Sequence, residues 1–468
     1  MDSANSPRRA TIGRGAYAIT AILLALLKYN LDRLTTWILA GRSFSVLAYW
    51  YPGRYWSSEH PERNTVLWTL ALTTIPFVCV GIALTLRRLR DADLPRALAA
   101  FFFVPFLNLV LFLLLAILPS REYADDHERR RGATTFLEGV IPRGAWSSAA
   151  MSVLLVVPIA TALSAISAQV LGDYGWGLFV GIPFLLGTCS AVLLGFHRPR
   201  SMGECLGVAA ASIVLLGGLL FGFLIEGAVC LAMAFPLGIA LALLGGVLGF
   251  FLQRGPRPRG DAVRVLSLSI VFLPTIIGLE SAAPAEPQLW KVTTCVTIDA
   301  PPEIVWQNVV AFTELPPPRE WVFRLGIAYP LRAEIDGHGA GAVRRCVFST
   351  GAFVEPIEVW DEPRILRFGV TEHPPAMRET MWLDAEDPPH VNDFLQSKRG
   401  QFELVESDGR TVLLGTTWYT HRIWPAAYWK PWSDWILHTI HRRVLEHIRQ
   451  RSEDTRRART LGEAARER

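Results

Sequence analysis

Hydrophobic positions follow two unlike patterns along this chain. Up to about residue 283 they come in long, nearly unbroken runs, and beyond that point they alternate with polar residues or recur at helical spacing. A helix that crosses a bilayer takes about 20 mostly apolar residues. Runs of that kind lie at 16–39, 64–85, 97–118, 148–170, 176–196, 204–225, 227–252 and 265–282. The proline-containing stretch Ser281–Pro287 reads as a linker. After it, Val292, Thr294, Val296 and Ile298 share one face of a strand. Asp299-Ala-Pro-Pro-Glu303 then opens a short helix carrying Val305, Trp306, Val309 and Val310. Strand-like runs follow at 342–349, 352–360, 364–371, 400–407 and 411–422, separated by turn signals at Gly351, Asp361–Pro363 and Ser407–Gly409. The last element predicted is a long helix over 426–453, with Trp432, Trp435, Ile436, Ile440, Val444 and Ile448 on one stripe.

The predicted fold is a multi-pass α-helical membrane domain followed by an α+β domain, in which a curved antiparallel sheet grips a long C-terminal helix. A sheet wrapped round one helix leaves an apolar gap, and such gaps take small ligands. The predicted divisions are 1–120, 121–283, 284–455 and a charged, fraying tail at 456–468.

Composition supports the membrane half. Of 468 residues, 51% are hydrophobic and 19% charged, with mean hydropathy +0.29, whereas soluble domains carry about 25% charged residues. A purely soluble, fibrous or disordered chain is excluded. A net charge of +4 gives no argument for nucleic acid. Six cysteines without a CxxC exclude a disulfide framework and the common zinc ribbons. The first run follows Arg8, Arg9 and Arg14 without a small-residue cleavage site, so it reads as a retained anchor.

Arginines in the short loops report sidedness. If all eight runs cross from a cytoplasmic N-terminus, 7 loop arginines fall inside and 14 outside. If 97–118 instead dips in and returns, bent at Pro105 and Asn108, the division becomes 18 inside and 3 outside. That arrangement has seven crossings and puts the C-terminal domain outside the cytoplasm. Lys28 and Asp32, an i,i+4 pair, are expected near a helix end, at the interface. Gly218/Gly222 and Gly245/Gly249 have the spacing that lets helices approach closely. Glu226 and Glu280 stand at segment ends and read as interfacial. No charge ladder or inverted repeat suggests a pump or transporter.

Two stretches carry family likenesses. Arg87-Arg-Leu-Arg-Asp-Ala-Asp-Leu-Pro95, followed by an apolar segment with a central Pro-Phe-Leu-Asn, resembles domain-of-unknown-function family 805 over residues 12–120. These are bacterial inner-membrane proteins, and the resemblance implies a location without a chemistry. Val296-Thr-Ile-Asp-Ala-Pro-Pro-Glu-Ile-Val-Trp306, with the final Trp-rich amphipathic helix, resembles the START/polyketide cyclase (SRPBCC, helix-grip) superfamily. That resemblance implies binding of lipids, sterols, polyketides or plant hormones, or cyclisation of a polyketide.

The residues expected to line the cavity are Trp306, Phe348, Trp360, Phe368, Phe402, Trp418, Trp435 and Ile436, each equally legible as core packing. Glu355, His421 and Arg344 are the candidate catalytic groups, because a cyclase needs a cavity-facing acid or base. Glu355 and Glu358 alternate to opposite strand faces and form no acid–base pair. His438 and His441 share a helix face without the spacing of a metal site, so neither metal nor cofactor is expected. The 372–398 stretch reads as a lid over the cavity or as an inert insertion. The aromatic run Trp424–Trp432 reads as a contact with the lipid surface or as core beneath the sheet. Cys295 and Cys346 fall on strands at opposite sides of the expected sheet, which argues against a bond. The function expected is membrane-anchored binding, for transfer or sensing, of a hydrophobic small molecule or lipid. The alternatives are a membrane-tethered cyclase or aromatase and a non-catalytic scaffold. The expected partners are the lipid bilayer and that small molecule, and the expected location is the bacterial inner membrane.

Overall fold

A computed structural model describes residues 11–466 except 42–43, 45–48, 50–62, 93, 95, 104–106, 119, 121–135, 256–257, 284–285 and 382–394. It forms two compact units. One comprises Met1–Ala160, Phe184–Gly222 and Ala242–Ser267, the other Thr161–Pro183, Phe223–Leu241 and Leu268–Arg468.

The first unit begins with helix α1 (Arg14–Ala40), which stops at Gly41 in the left-handed region, φ 63°, where the amide donates to the Trp37 carbonyl. Helix α2 (Arg63–Asp91) follows. Lys28 and Asp32 lie past the middle of α1, both buried and paired with each other, with the Tyr49 hydroxyl 2.6 Å from Asp32. The expectation of an interfacial pair therefore gives way to an interior one. Mutual neutralisation makes that tolerable.

The run at 97–118 is broken into a 3₁₀ segment, Arg96–Phe103, and helix α3 (Leu107–Ile117). Eleven helical residues extend only about 16 Å, against about 30 Å of hydrocarbon. The C-terminal end of this run returns to Arg88, three residues before the end of α2. Its Nε donates to the Leu115 carbonyl at 2.8 Å, and its Nη2 donates to Leu118. Near the turn, the Phe102 ring lies against Gly81, where a Cβ would come within 2.7 Å of it. Gly81 is seven residues back along α2, so the run reaches about 10 Å inward and returns. Pro105 is outside the described residues, and Asn108 is the second residue of α3.

After a short helix α4 (Phe136–Val140) come α5 (Ala145–Ala165), α6 (Ile182–Leu194), α7 (Met202–Gly222), α8 (Ala228–Leu252) and α9 (Pro258–Ala282). Among the described residues, six helices are long and apolar enough to cross a membrane: Asn64–Asp91, Ala145–Leu171, Gly177–Leu194, Met202–Gly222, Ala228–Leu252 and Gly260–Ala282. The runs at 16–39 and 97–118 are not among them. Gly245 and Gly249 let α8 press on α6, since a Cβ at Gly245 would stand 2.1 Å from the Phe184 carbonyl oxygen. Gly218 faces open space and packs no helix.

The second unit contains the sheet. Its seven strands are β1 (Leu289–Ile298), β2 (Pro330–Asp336), β3 (Val343–Phe348), β4 (Gly351–Asp361), β5 (Ile365–Gly369), β6 (Leu395–Ser407) and β7 (Arg410–His421). They run antiparallel in the order β1-β7-β6-β5-β4-β3-β2. The small helices α10 (Pro302–Val310) and α11 (Trp321–Arg324) join β1 to β2. Helix α12 (Ala426–Arg466) is gripped by the curled sheet. Ile298, Val305, Trp306, Leu366, Leu413, Leu445 and Ile448 form the core between them. Cys295 and Cys346, on β1 and β3, are both free thiols.

Helix α12 continues well beyond residue 453, where the sequence suggested fraying. Ser452 is fully buried and accepts a bond from Asn308 at 3.1 Å, and Arg456 pairs with Asp299. Glu446–Arg449 and Asp454–Arg457 add pairs at i,i+3 spacing along the exposed side.

Residues 372–381 form a strap pinned down at several points. Met377 bridges Ile327, Glu372 bridges Val354, and the Arg378 amide donates to the Gly326 carbonyl at 2.9 Å. Gly326, at φ 114°, is required there, since a Cβ would stand 2.0 Å from the Arg378 oxygen. The strap then reaches the start of α8. The Ala228 amide donates to the Thr380 carbonyl at 3.0 Å, and the Cys230 amide to Glu379 Oε1 at 3.2 Å. The aromatic run packs at the same junction. The Tyr428 hydroxyl donates to the Met233 carbonyl at 2.5 Å, the Trp424 amide donates to Tyr174, and Trp429 meets Phe179 edge to face at 4.8 Å. Glu280 caps the segment from Gly177, accepting the Trp176 and Gly177 amides.

Candidate functional site

A cavity of about 120 Å³ lies between the sheet and α12. Strand alternation supplies its floor. Arg344, Cys346 and Phe348 alternate on β3, and Arg344 is the cross-strand partner of Glu355 on β4. On β5 and β6, Phe368 stands opposite Gly400, whose missing side chain makes room for the Phe368 ring. Helix α12 supplies the roof through Leu437, Ile440, His441, Val444 and Leu445.

The surface is mostly aromatic and aliphatic, with two polar stations. At the first, Arg344 is fully buried and donates through Nη1 to Glu355. Its Nε donates to the Val310 carbonyl at 3.2 Å. The rings of Phe368, Phe312 and Phe402 lie 5.2, 5.5 and 5.6 Å from the guanidinium carbon. Burial pushes the Glu355 carboxyl up, and Arg344 draws it back only in part. Burial, helped by the charge of Glu355, pushes the Cys346 thiol up to about 12, so it remains a neutral thiol. At the second station, His441 stands between two threonines. Its Nδ1 is 3.0 Å from Thr294 Oγ1 and its Nε2 is 2.8 Å from Thr417 Oγ1. Burial, with His438 beside it, lowers His441 to about 4, leaving the ring neutral.

Of the residues expected from sequence, the structure brings Arg344, Glu355, Phe348, Phe368 and Phe402 to the cavity. The others lie elsewhere. Trp306 is buried in the core, edge-on to Trp360 at 5.7 Å, and Trp360 also stacks on His338. Trp418 stands over Lys291, its cross-strand neighbour, at 5.4 Å. Trp435 stacks on Trp321, and Ile436 packs with Val229 and Phe323, because both lie on the side of α12 turned from the sheet. His421 is buried at the end of β7 against Trp290 and Tyr419, its Nδ1 3.4 Å from Ser433. The cavity histidine is His441, which sequence reasoning passed over. Its signal was the i,i+4 spacing of Leu437, His441 and Leu445. Glu358 faces the opposite way from Glu355 and pairs with Arg399 at 2.9 Å. Among the described residues, no group of His, Cys, Asp and Glu is placed to hold a metal ion.

Residues 10–129 match the family described as "Protein of unknown function (DUF805)". No curated protein matches the chain. Among solved structures, the chain is similar to the Zhui aromatase/cyclase from Streptomyces sp. R1128, at 15% identity over 36% of this chain and 94% of that one, TM-score 0.24. It is also similar to a point mutant of norcoclaurine synthase from Thalictrum flavum in complex with a transition-state analogue. That match has 11% identity over 37% of this chain and 99% of that one, TM-score 0.24. A third is norcoclaurine synthase from the same plant in complex with dopamine and hydroxybenzaldehyde, at 12% identity over 35% and 86%, TM-score 0.22.

Proposed function

We propose that this chain is a membrane-anchored receptor for a small hydrophobic molecule, held in the cavity between the sheet and α12 for transfer or sensing. The observation that carries the proposal is an apolar cavity with the buried Arg344–Glu355 pair in its wall. Its volume of about 120 Å³ is close to the roughly 150 Å³ that accommodates benzene. The favoured ligand is therefore about one ring in size, with a polar group directed to Arg344 and Glu355. A lipid chain enters only if α12 moves.

Binding is favoured over general-base catalysis by the bonding of His441. Both its ring nitrogens are engaged by threonine hydroxyls, so neither is left to take a proton from a substrate. The anchor follows from α9, which runs directly into β1. The loops at 171–176 and 223–227 hold no Lys or Arg, whereas Arg143, Arg198, Arg200 and Arg254 lie at the other ends of the same helices. This division favours an extracytoplasmic C-terminal domain on a bacterial inner membrane.

The test is calorimetric titration of the purified full chain with p-cresol, beside the cavity-filling variant Ile440→Phe. Saturable binding to the native chain that falls at least tenfold in the variant is the expected result. No binding, or equal binding to both, would sink the proposal.

A further inference from the structure

A second concavity lies on the other side of Leu445, outside the gripped cavity. It is larger, about 530 Å³, and is bounded by the edge strand β1 at Thr294–Val296, by the loop before α11, and by the later turns of α12. Its chemistry differs from that of the cavity. Three guanidinium groups line it, from Arg319, Arg442 and Arg443.

These arginines are not equivalent. Arg443 is committed to structure, donating to the Pro316 and Pro330 carbonyls with Glu320 4.0 Å away. Glu446 is taken up by Arg449 and Gln450. Arg319 and Arg442 have no acidic partner among the described residues, so the two carboxylates in the groove leave them uncompensated. His447 Nε2 is also buried there without a hydrogen-bond partner among the described residues. A buried polar atom left in that state calls for a ligand or a water. The rest of the wall is apolar, from Val296, Leu315, Pro316, Pro317 and Leu445.

We infer that this groove binds a small organic oxyanion, a phosphate monoester or carboxylate, with its charged group between Arg319 and Arg442 and its apolar body on the Leu315–Pro317 wall. The guanidinium fork matches the two oxygens of such groups. The groove lies about 25 Å along α12 from the Trp429 end that touches the membrane helices, counting 1.5 Å per residue.

The test is titration of the full chain in detergent with phenyl phosphate, and separately with inorganic phosphate and phenol. The same titrations are made on Arg319→Ala/Arg442→Ala and on Ile440→Phe. Phenyl phosphate is expected to bind the native chain and Ile440→Phe alike, to weaken at least tenfold in the double-arginine variant, and to weaken in 0.5 M salt. In Ile440→Phe, where the cavity is filled, phenol is expected to bind far more weakly than phenyl phosphate. Both arginines are solvent-facing, and an unchanged melting temperature checks that the variant stays folded. Phenyl phosphate lost in Ile440→Phe but retained without the arginines would overturn the inference, because the ligand would then sit in the cavity. Absence of binding to the native chain at millimolar concentration would overturn it as well. Neither outcome bears on p-cresol in the cavity.

Discussion

A guanidinium and a carboxylate buried side by side give up their hydration, and only good geometry offsets that loss. Arg344 and Glu355 meet the requirement through a direct bond, the Val310 carbonyl and three surrounding rings. Removing one partner strands the other. Glu355→Ala is expected to destabilise the full chain by about 3–5 kcal/mol, whereas the double change Arg344→Met/Glu355→Leu is expected to recover most of that loss. Melting of the native chain and the two variants in detergent decides this, and a double variant as unstable as the single one would contradict it. Arg344 and Glu355 were each legible as candidates because they fall on strand-like runs, but their pairing was not, since it depends on the register between β3 and β4. Trp435 and Ile436 misled for a physical reason. Their stripe of α12 is real, but only its later members Ile440 and Val444 reach the cavity, while Ile436 packs on Phe323 and Val229 and Trp435 on Trp321.

At the scale of elements, the strap 372–381 and the start of α8 form a junction that titrates. Glu226, between α7 and α8, is completely enclosed and held near 8. Burial is the main cause, the Tyr174 hydroxyl bond at 2.7 Å opposes it, and the Glu379 charge adds to it. The ordinary value of 4.5 returns once the carboxyl meets water. The folded junction therefore holds a proton that the opened one releases between pH 4.5 and about 8. Stability from this group is full below that window and is lost as pH rises through about 8. The melting temperature of the full chain is expected to fall between pH 6 and 9, and Glu226→Gln is expected to flatten that dependence. An unaltered slope in the variant would place the titration elsewhere, with Asp173, Tyr174 and Glu379 the neighbouring groups. Sequence reasoning recognised Glu226 as standing at a helix end. The strap it could not place, because the bonds that hold 372–381 are backbone pairs to distant residues, which leave no periodic trace. The break in 97–118 was anticipated from the loop arginines together with Pro105 and Asn108.

For the whole molecule, sidedness is the property that charge predicts and a thiol can report. Cys295 is exposed on β1, while Cys346 is buried. A membrane-impermeant maleimide is expected to label the chain in intact cells, and Cys295→Ser to remove the label. Labelling that appears only after permeabilisation would reverse the orientation. The architecture was readable at this scale because long apolar runs and strand alternation are strong signals. β2 was missed, since Pro330–Asp336 mixes proline and charge as an edge strand can. Helix α12 joins the scales. Leu437, Ile440 and His441 cover the cavity, while Ile436 beside them and Tyr428, about two and a half turns earlier, hold the start of α8. One stiff rod thus rests on two supports. A guest too large for the resting cavity must tilt the rod, and the tilt is felt where it grips the membrane helix. By reciprocity, whatever loosened that grip would widen the range of guests by the same free energy.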